Sequence, residues 1–96
     1  CGVATTAGIT NLGLVDDLDG IAHVTKERGL WLHVDGAYGG AALLSEQARP
    51  LFAGIELADS LVIDPHKWLF STLDSSALIY RNPPLARAAF TQTASY

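Results

Sequence analysis

The sequence predicts an α/β layer, a mostly parallel sheet flanked by helices, and three observations carry that expectation. Short apolar runs alternate with helical stretches in the order strand, helix, strand, helix, strand. The run Leu30–Asp35 is too apolar for clean alternation, as expected of a strand buried on both faces, and Leu61-Val62-Ile63 also reads as buried. Thr10, Asp35 and Lys67 fall at or just past the ends of these runs, where open α/β sheets hold their ligands.

Taken in order, Gly2 to Thr6 is short and apolar and leads into a polar turn, Gly8-Ile9-Thr10-Asn11. Asp16-Asp17 opens a helix whose residues Leu18, Ile21, Ala22 and Thr25 share one face. Lys26-Glu27-Arg28 closes that helix and Gly29 stops it. The strand Leu30–Asp35 is followed by a tight loop, Gly36-Ala37-Tyr38-Gly39-Gly40, and a short helical stretch from Ala41 to Ser45. Pro50 starts a further helix reaching about Ala58, and Ser60 to Ile63 forms the next strand. Ser75 to Tyr80 is the last strand, and Pro83-Pro84 begins a final helix, Leu85 to about Phe90, before a polar tail ending at Tyr96. No repeat, low-complexity segment or linker interrupts the chain.

Ninety-six residues suffice for one small domain. An apolar content of 49% is rich for a free-standing domain of that size, and the chain opens on Cys1 rather than Met. The expectation is therefore a single segment, residues 1–96 with no internal boundary, of a longer enzyme whose other parts cover its apolar faces. A complete small domain is the alternative. A net charge of −4 argues against nucleic acid or an anionic membrane as partner. One cysteine makes no internal disulfide and fits a reducing, cytoplasmic setting. No apolar run approaches the roughly 18 residues of a membrane span.

Lys67 is the residue with the most to explain. It stands in Asp64-Pro65-His66-Lys67-Trp68-Leu69, directly after an apolar strand, and Pro65 fixes the turn that presents it. An ammonium at the mouth of a buried strand loses hydration, which frees the amine to attack a carbonyl. Asp35 ends the other apolar strand. A strand-end lysine and a strand-end carboxylate are what a pyridoxal phosphate (PLP) site requires: the amine holds the aldehyde and the acid keeps the ring nitrogen protonated. Ala37 is small enough to lie under a flat ring. Each residue also has a plainer reading, Lys67 as a surface lysine and Asp35 as a helix N-cap. Thr10 is either a turn residue or a hydroxyl partner of Asp35 or the cofactor, and His66 is either a phosphate donor or packed. Trp31 and Trp68 read as core or subunit-contact aromatics and His23 as solvated. The glycines after Asp35 match no dinucleotide or Walker fingerprint. Pairs His33-x-Asp35 and Asp64-x-His66 have metal-ligand spacing, but a cation there leaves Lys67 without a role and repels it, so no metal is expected.

The runs Leu32-His33-Val34-Asp35-Gly36-Ala37-Tyr38-Gly39-Gly40 and Asp64-Pro65-His66-Lys67-Trp68-Leu69 together resemble the group II PLP-dependent amino-acid decarboxylases, closest to the aromatic-L-amino-acid decarboxylase branch. The resemblance extends from Ala4-Thr5-Thr6-Ala7-Gly8 through Asp74-Ser75-Ser76-Ala77 to Tyr96. It implies the C-terminal part of a fold type I large domain, in a cytoplasmic homodimer that removes the α-carboxylate of an L-amino acid, aromatic ones preferred. Another reaction of the same fold, transamination or carbon–carbon cleavage, or an inactive fragment, is the alternative. By position, Lys67 would be the Schiff-base lysine and Asp35 the partner of the pyridine nitrogen. Ala37 would pack on the ring, Thr10, Asp64 and His66 would contact the cofactor, and Tyr96 would return a proton to the substrate carbon. The chain departs from the family pattern at Gly36, usually Ala, and Ser75, often Cys. The upstream half that carries most phosphate contacts and the ring-stacking histidine is absent.

Overall fold

The structure, a computed structural model, describes residues 1–92. Four strands form one sheet in the order β1 (Gly2–Thr6), β2 (Trp31–Asp35), β3 (Ser60–Ile63), β4 (Ala77–Tyr80). β1, β2 and β3 run parallel and β4 returns antiparallel to β3. The sheet is thus mostly parallel, as the alternating pattern predicts. Three helices complete it: α1 (Leu18–Glu27), the single turn α2 (Pro65–Trp68) and α3 (Pro83–Phe90).

Register fixes what stands at the carboxyl edge. Thr6 pairs with Asp35, and Asp35 with Val62, so three strand ends finish in one row. Because the strands are parallel, the loops that follow them all emerge on that side. The β1 and β2 loops touch there: a Cβ on Gly39 would meet the Gly8 Cα at 2.5 Å, and Gly8 has φ +93°. No other residue tolerates both demands.

α1 packs on one face of the sheet through Leu18, Ala22 and Thr25, all buried. Leu18, Leu32 and Val34 are fully enclosed, and each stabilises the fold by about 1.5–3 kcal/mol. Ala7, Phe52 and Ala58 complete this core. The opposite face is open. Trp31 and His33 alternate with the buried positions of β2 but are only half-buried. The reading of β2 as buried on both faces is corrected within this chain. Among the described residues α3 alone approaches that side, leaving an apolar groove of about 470 Å³ between Trp31, Leu78, Tyr80, Ala86 and Phe90.

The helix expected from Pro50 to Ala58 is two short 3₁₀ turns, Arg49–Phe52 and Ile55–Leu57. Gly54 between them has φ +91° and lies against the Asp19 backbone, which a Cβ would strike at 2.5 Å. A continuous helix is incompatible with that left-handed residue. The stretch after the glycine loop is likewise 3₁₀, Gly39–Leu44. Asp17, not Asp16, caps α1, accepting from the Gly20 amide at 3.0 Å. Ser75 and Ser76 stand before β4 rather than in it. None of the described helices is long and apolar enough to cross a membrane.

Candidate active site at the carboxyl edge

Beyond the row of strand ends lies a cleft of about 190 Å³, walled by Thr6, Gly8, Ile9, Thr10, Asp35, Ala37, Tyr38 and Lys67. Four of the residues singled out in the sequence, Thr10, Asp35, Ala37 and Lys67, are therefore brought together. Asp64 and His66 are not among the wall residues, and Tyr96 lies outside the described residues. The larger apolar groove on the open face contains neither an amine nor a carboxylate, so chemistry rather than size selects the cleft.

Asp35 is the last residue of β2 and points an exposed carboxylate into this space. Its Oδ1 accepts from the Ala37 amide at 3.0 Å. This closes a tight Asx turn that holds the glycine loop; the 3₁₀ turn that follows has Tyr38 at its N-cap and no side-chain cap bond, so Asp35 is not a helix cap. The second carboxylate oxygen remains for a ligand. Ala37 in turn accepts from the Asp64 amide at 3.2 Å, tying the loop after β2 to the end of β3.

Lys67 differs from the expectation of a desolvated amine. Pro65 starts α2 immediately after β3, so Lys67 rises on a helical turn at the rim instead of sitting at the buried strand end. Its side chain retains 35% exposure, and Nζ pairs with Asp64 Oδ2 at 2.6 Å. The other oxygen of Asp64 accepts from Ser76 Oγ at 2.6 Å. The Lys67 ammonium, then the Ser76 hydroxyl, hold the Asp64 carboxyl below its usual range.

His66 is held by the segment before β4. Its Nδ1 lies 2.6 Å from the Ser75 carbonyl oxygen, which only accepts, so Nδ1 carries the proton. The alternative metal pairs are committed elsewhere as well: His33 Nδ1 bonds Ser60 Oγ at 2.8 Å. Among the described residues no three His, Cys, Asp or Glu side chains converge on a common point. Trp31 Nε1 donates to the same Ser60 oxygen at 2.9 Å. His23 is exposed, as expected.

One contributor escaped the sequence reading. Asp16 turns back to β1, accepting through Oδ2 from Thr5 Oγ1 at 2.6 Å and from the Thr6 amide at 2.8 Å. The Thr5 hydroxyl first, then the Thr6 amide, lower its pKa. Two consecutive aspartates at a helix start were the signal, since only one can cap. The Tyr38 ring, whose resemblance with Trp68 suggests an aromatic substrate, meets Trp68 edge-on with centroids 5.1 Å apart, making an aromatic flank to the cleft.

The profile described as the pyridoxal-dependent decarboxylase conserved domain matches residues 1–96. The chain belongs to that family. The aromatic-L-amino-acid decarboxylase of Bacillus atrophaeus is 42% identical over 94 residues, covering 98% of this chain and 20% of that protein. Cysteine sulfinic acid decarboxylase of Rattus norvegicus is 51% identical over 80 residues, 83% of this chain and 16% of that protein. The crystal structure of mouse CSAD superposes with a TM-score of 0.86 at 45% identity over 98% of this chain and 20% of that one. The chain thus spans about one fifth of the length of these relatives. Its sheet is part of the fold type I architecture of the PLP-dependent decarboxylases. The donor set fits the family's cofactor, pyridoxal phosphate: an amine and a carboxylate line one cleft together with the Thr10 hydroxyl and the Ala37 methyl. The cleft is smaller than the roughly 300–1,000 Å³ of a complete small-molecule site, as suits one wall of a site.

Proposed function

We propose that this chain is a segment, in the C-terminal part of the large domain, of a longer decarboxylase that removes the α-carboxylate of an L-amino acid. The observation that carries this reading is the meeting of Asp35 and Lys67 in one cleft of a chain belonging to the pyridoxal-dependent decarboxylase family. Bound pyridoxal phosphate supplies an electron sink for the pair left on the α-carbon when carbon dioxide departs.

The residues of this chain divide the remaining work. Lys67 would hold the cofactor through its primary amine, the group that the amine of the substrate would replace. Asp35 accepts a hydrogen bond from the ring N–H and, as an anion, keeps that proton in place. Ala37 offers a methyl surface to one side of the ring, too small to displace it. The Thr10 hydroxyl serves as a hydrogen-bond partner at the far wall. His66 and Asp64 flank Lys67, are fixed by their bonds to Ser75 and Ser76, and are assigned cofactor contacts by the resemblance. Tyr96 is assigned the return of a proton to the α-carbon, on the strength of sequence resemblance alone. The full-length protein is proposed to be a cytoplasmic homodimer.

An aromatic side chain is the favoured substrate class, supported by the Tyr38–Trp68 flank and by the name of the Bacillus relative. The rat relative, which acts on cysteine sulfinic acid by its name, favours a short acidic side chain instead. Carbon dioxide release by the full-length protein from aromatic and acidic L-amino acids distinguishes these. Release from aromatic substrates supports the reading, and release from acidic substrates alone reassigns the class. Formation of a keto acid without carbon dioxide overturns decarboxylation in favour of amino transfer.

A further inference from the structure

We propose that Asp64 is a positioning residue for Lys67: anchored by Ser76, its carboxylate parks the lysine ammonium at the cleft rim and restrains its capture of an aldehyde. This rests on the assignment of Lys67 as the cofactor-bearing amine and adds a role that the assignment does not contain.

Isolated surface ion pairs contribute little, because both side chains roam and solvent screens them. Asp64 is built differently. Its side chain is only 13% exposed, although its partner is 35% exposed. One oxygen faces Lys67 Nζ at 2.6 Å and the other takes the Ser76 hydroxyl at 2.6 Å. Its amide donates to the Ala37 carbonyl at 3.2 Å and its carbonyl accepts from the Lys67 amide at 3.0 Å. Three elements thus fix the residue whose carboxylate pairs with the amine: the loop after β2, the turn of α2, and the segment before β4. Across the cleft the amine also faces Asp35 and Tyr38, and His66 adjoins it in sequence. Asp35 and Asp64 each have one oxygen engaged, on the Ala37 amide and the Ser76 hydroxyl, and it is the second oxygen of Asp64 that the amine meets.

An ammonium held against a carboxylate has no lone pair to give to a carbonyl carbon. It must shed a proton to solvent and leave Asp64 before its lone pair can bond the aldehyde carbon, whose oxygen then departs as water. The pair therefore slows capture while keeping the amine beside the place where it is needed. The same carboxylate receives the amine again whenever substrate displaces it.

The test uses the full-length protein freed of cofactor, with pyridoxal phosphate itself as the probe. Borohydride-fixed label on the Lys67 peptide is followed over time by mass spectrometry. Asp64→Asn keeps the size and an acceptor for Ser76 but removes the charge. Its expected capture rate is several-fold above that of the unaltered protein at low salt. Raising salt from about 0.05 to about 0.5 M shortens the screening length to a few ångströms and narrows the ratio between the two. Ser76→Ala, which frees Asp64 to swing, is expected to accelerate capture by a smaller factor, and it carries the test if Asp64→Asn does not fold. Equal rates for variant and unaltered protein, or a ratio indifferent to salt, overturn the role of Asp64. Label on a lysine other than Lys67 overturns instead the site assignment on which it rests.

Discussion

At the end of β2, Asp35 is gripped between two parallel neighbours, in register with Thr6 on one side and Val62 on the other. At the end of β3, Lys67 rides on a single helical turn, a third exposed, with its head on Asp64. The two ends line one cleft, yet one is held by backbone pairing and the core while the other is held by side-chain bonds. Asp35 has the fixed position suited to a permanent contact, and Lys67 has the latitude required of an amine that must exchange partners. Changes at the β3 end should therefore alter covalent chemistry, and changes beneath the β2 end should alter folding.

The largest effect is expected from Lys67→Ala. It should eliminate the borohydride-fixable cofactor in the full-length protein, read by mass spectrometry, because no other amine lines the described cleft. Persistence of the linkage would break the comparison outright. Asp35→Asn should retain the linkage but reduce carbon dioxide release by about 100- to 1,000-fold, the scale of losing one charge-stabilising contact. Steady-state kinetics read this, and a loss confined to KM would show that Asp35 only binds.

Leu32→Ala, beneath the β2 end, should cost about 2–5 kcal/mol of stability, since this side chain is fully enclosed and leaves a cavity. Denaturant unfolding of the full-length protein measures it. Asp16→Asn should cost about 1 kcal/mol, discounted for exposure. The sign with pH follows from the lowered pKa of Asp16. Its contribution is present above the unfolded carboxylate value of about 4 and is lost as pH falls through the lower folded value. The variant should therefore show a flatter acid limb than the unaltered protein, and identical limbs would place the stabilisation elsewhere.

The difference between the two ends also marks what could be read from the sequence. β2 and β3 were legible because their apolar runs end on residues whose chemistry changes abruptly, Asp35 and Asp64. Their parallel pairing followed from the helical crossover expected between them, which the structure supplies as 3₁₀ turns. The antiparallel return of β4 was not legible, since Ala77–Tyr80 has no pattern that distinguishes direction. The region of residues 49–58 misled because Pro50 and the apolar positions suggest a helix, while the left-handed Gly54 against Asp19 is a tertiary demand. At the site, Asp35, Ala37, Thr10 and Lys67 were found by position along the strands. The roles of His66 and Asp64 were not, because their partners Ser75 and Ser76 are separated from them by the loop that follows α2. Spacing identified the candidates; only three-dimensional pairing showed which of them face the cleft.

The central claim is that Asp35 and Lys67 engage opposite ends of one cofactor. A crystal structure of the full-length protein with pyridoxal phosphate tests it most directly. The expected result is Lys67 Nζ bonded to the cofactor and an Asp35 carboxylate oxygen about 3 Å from the ring nitrogen. A different lysine in the bond, or a ring nitrogen that faces away from Asp35, would contradict the account.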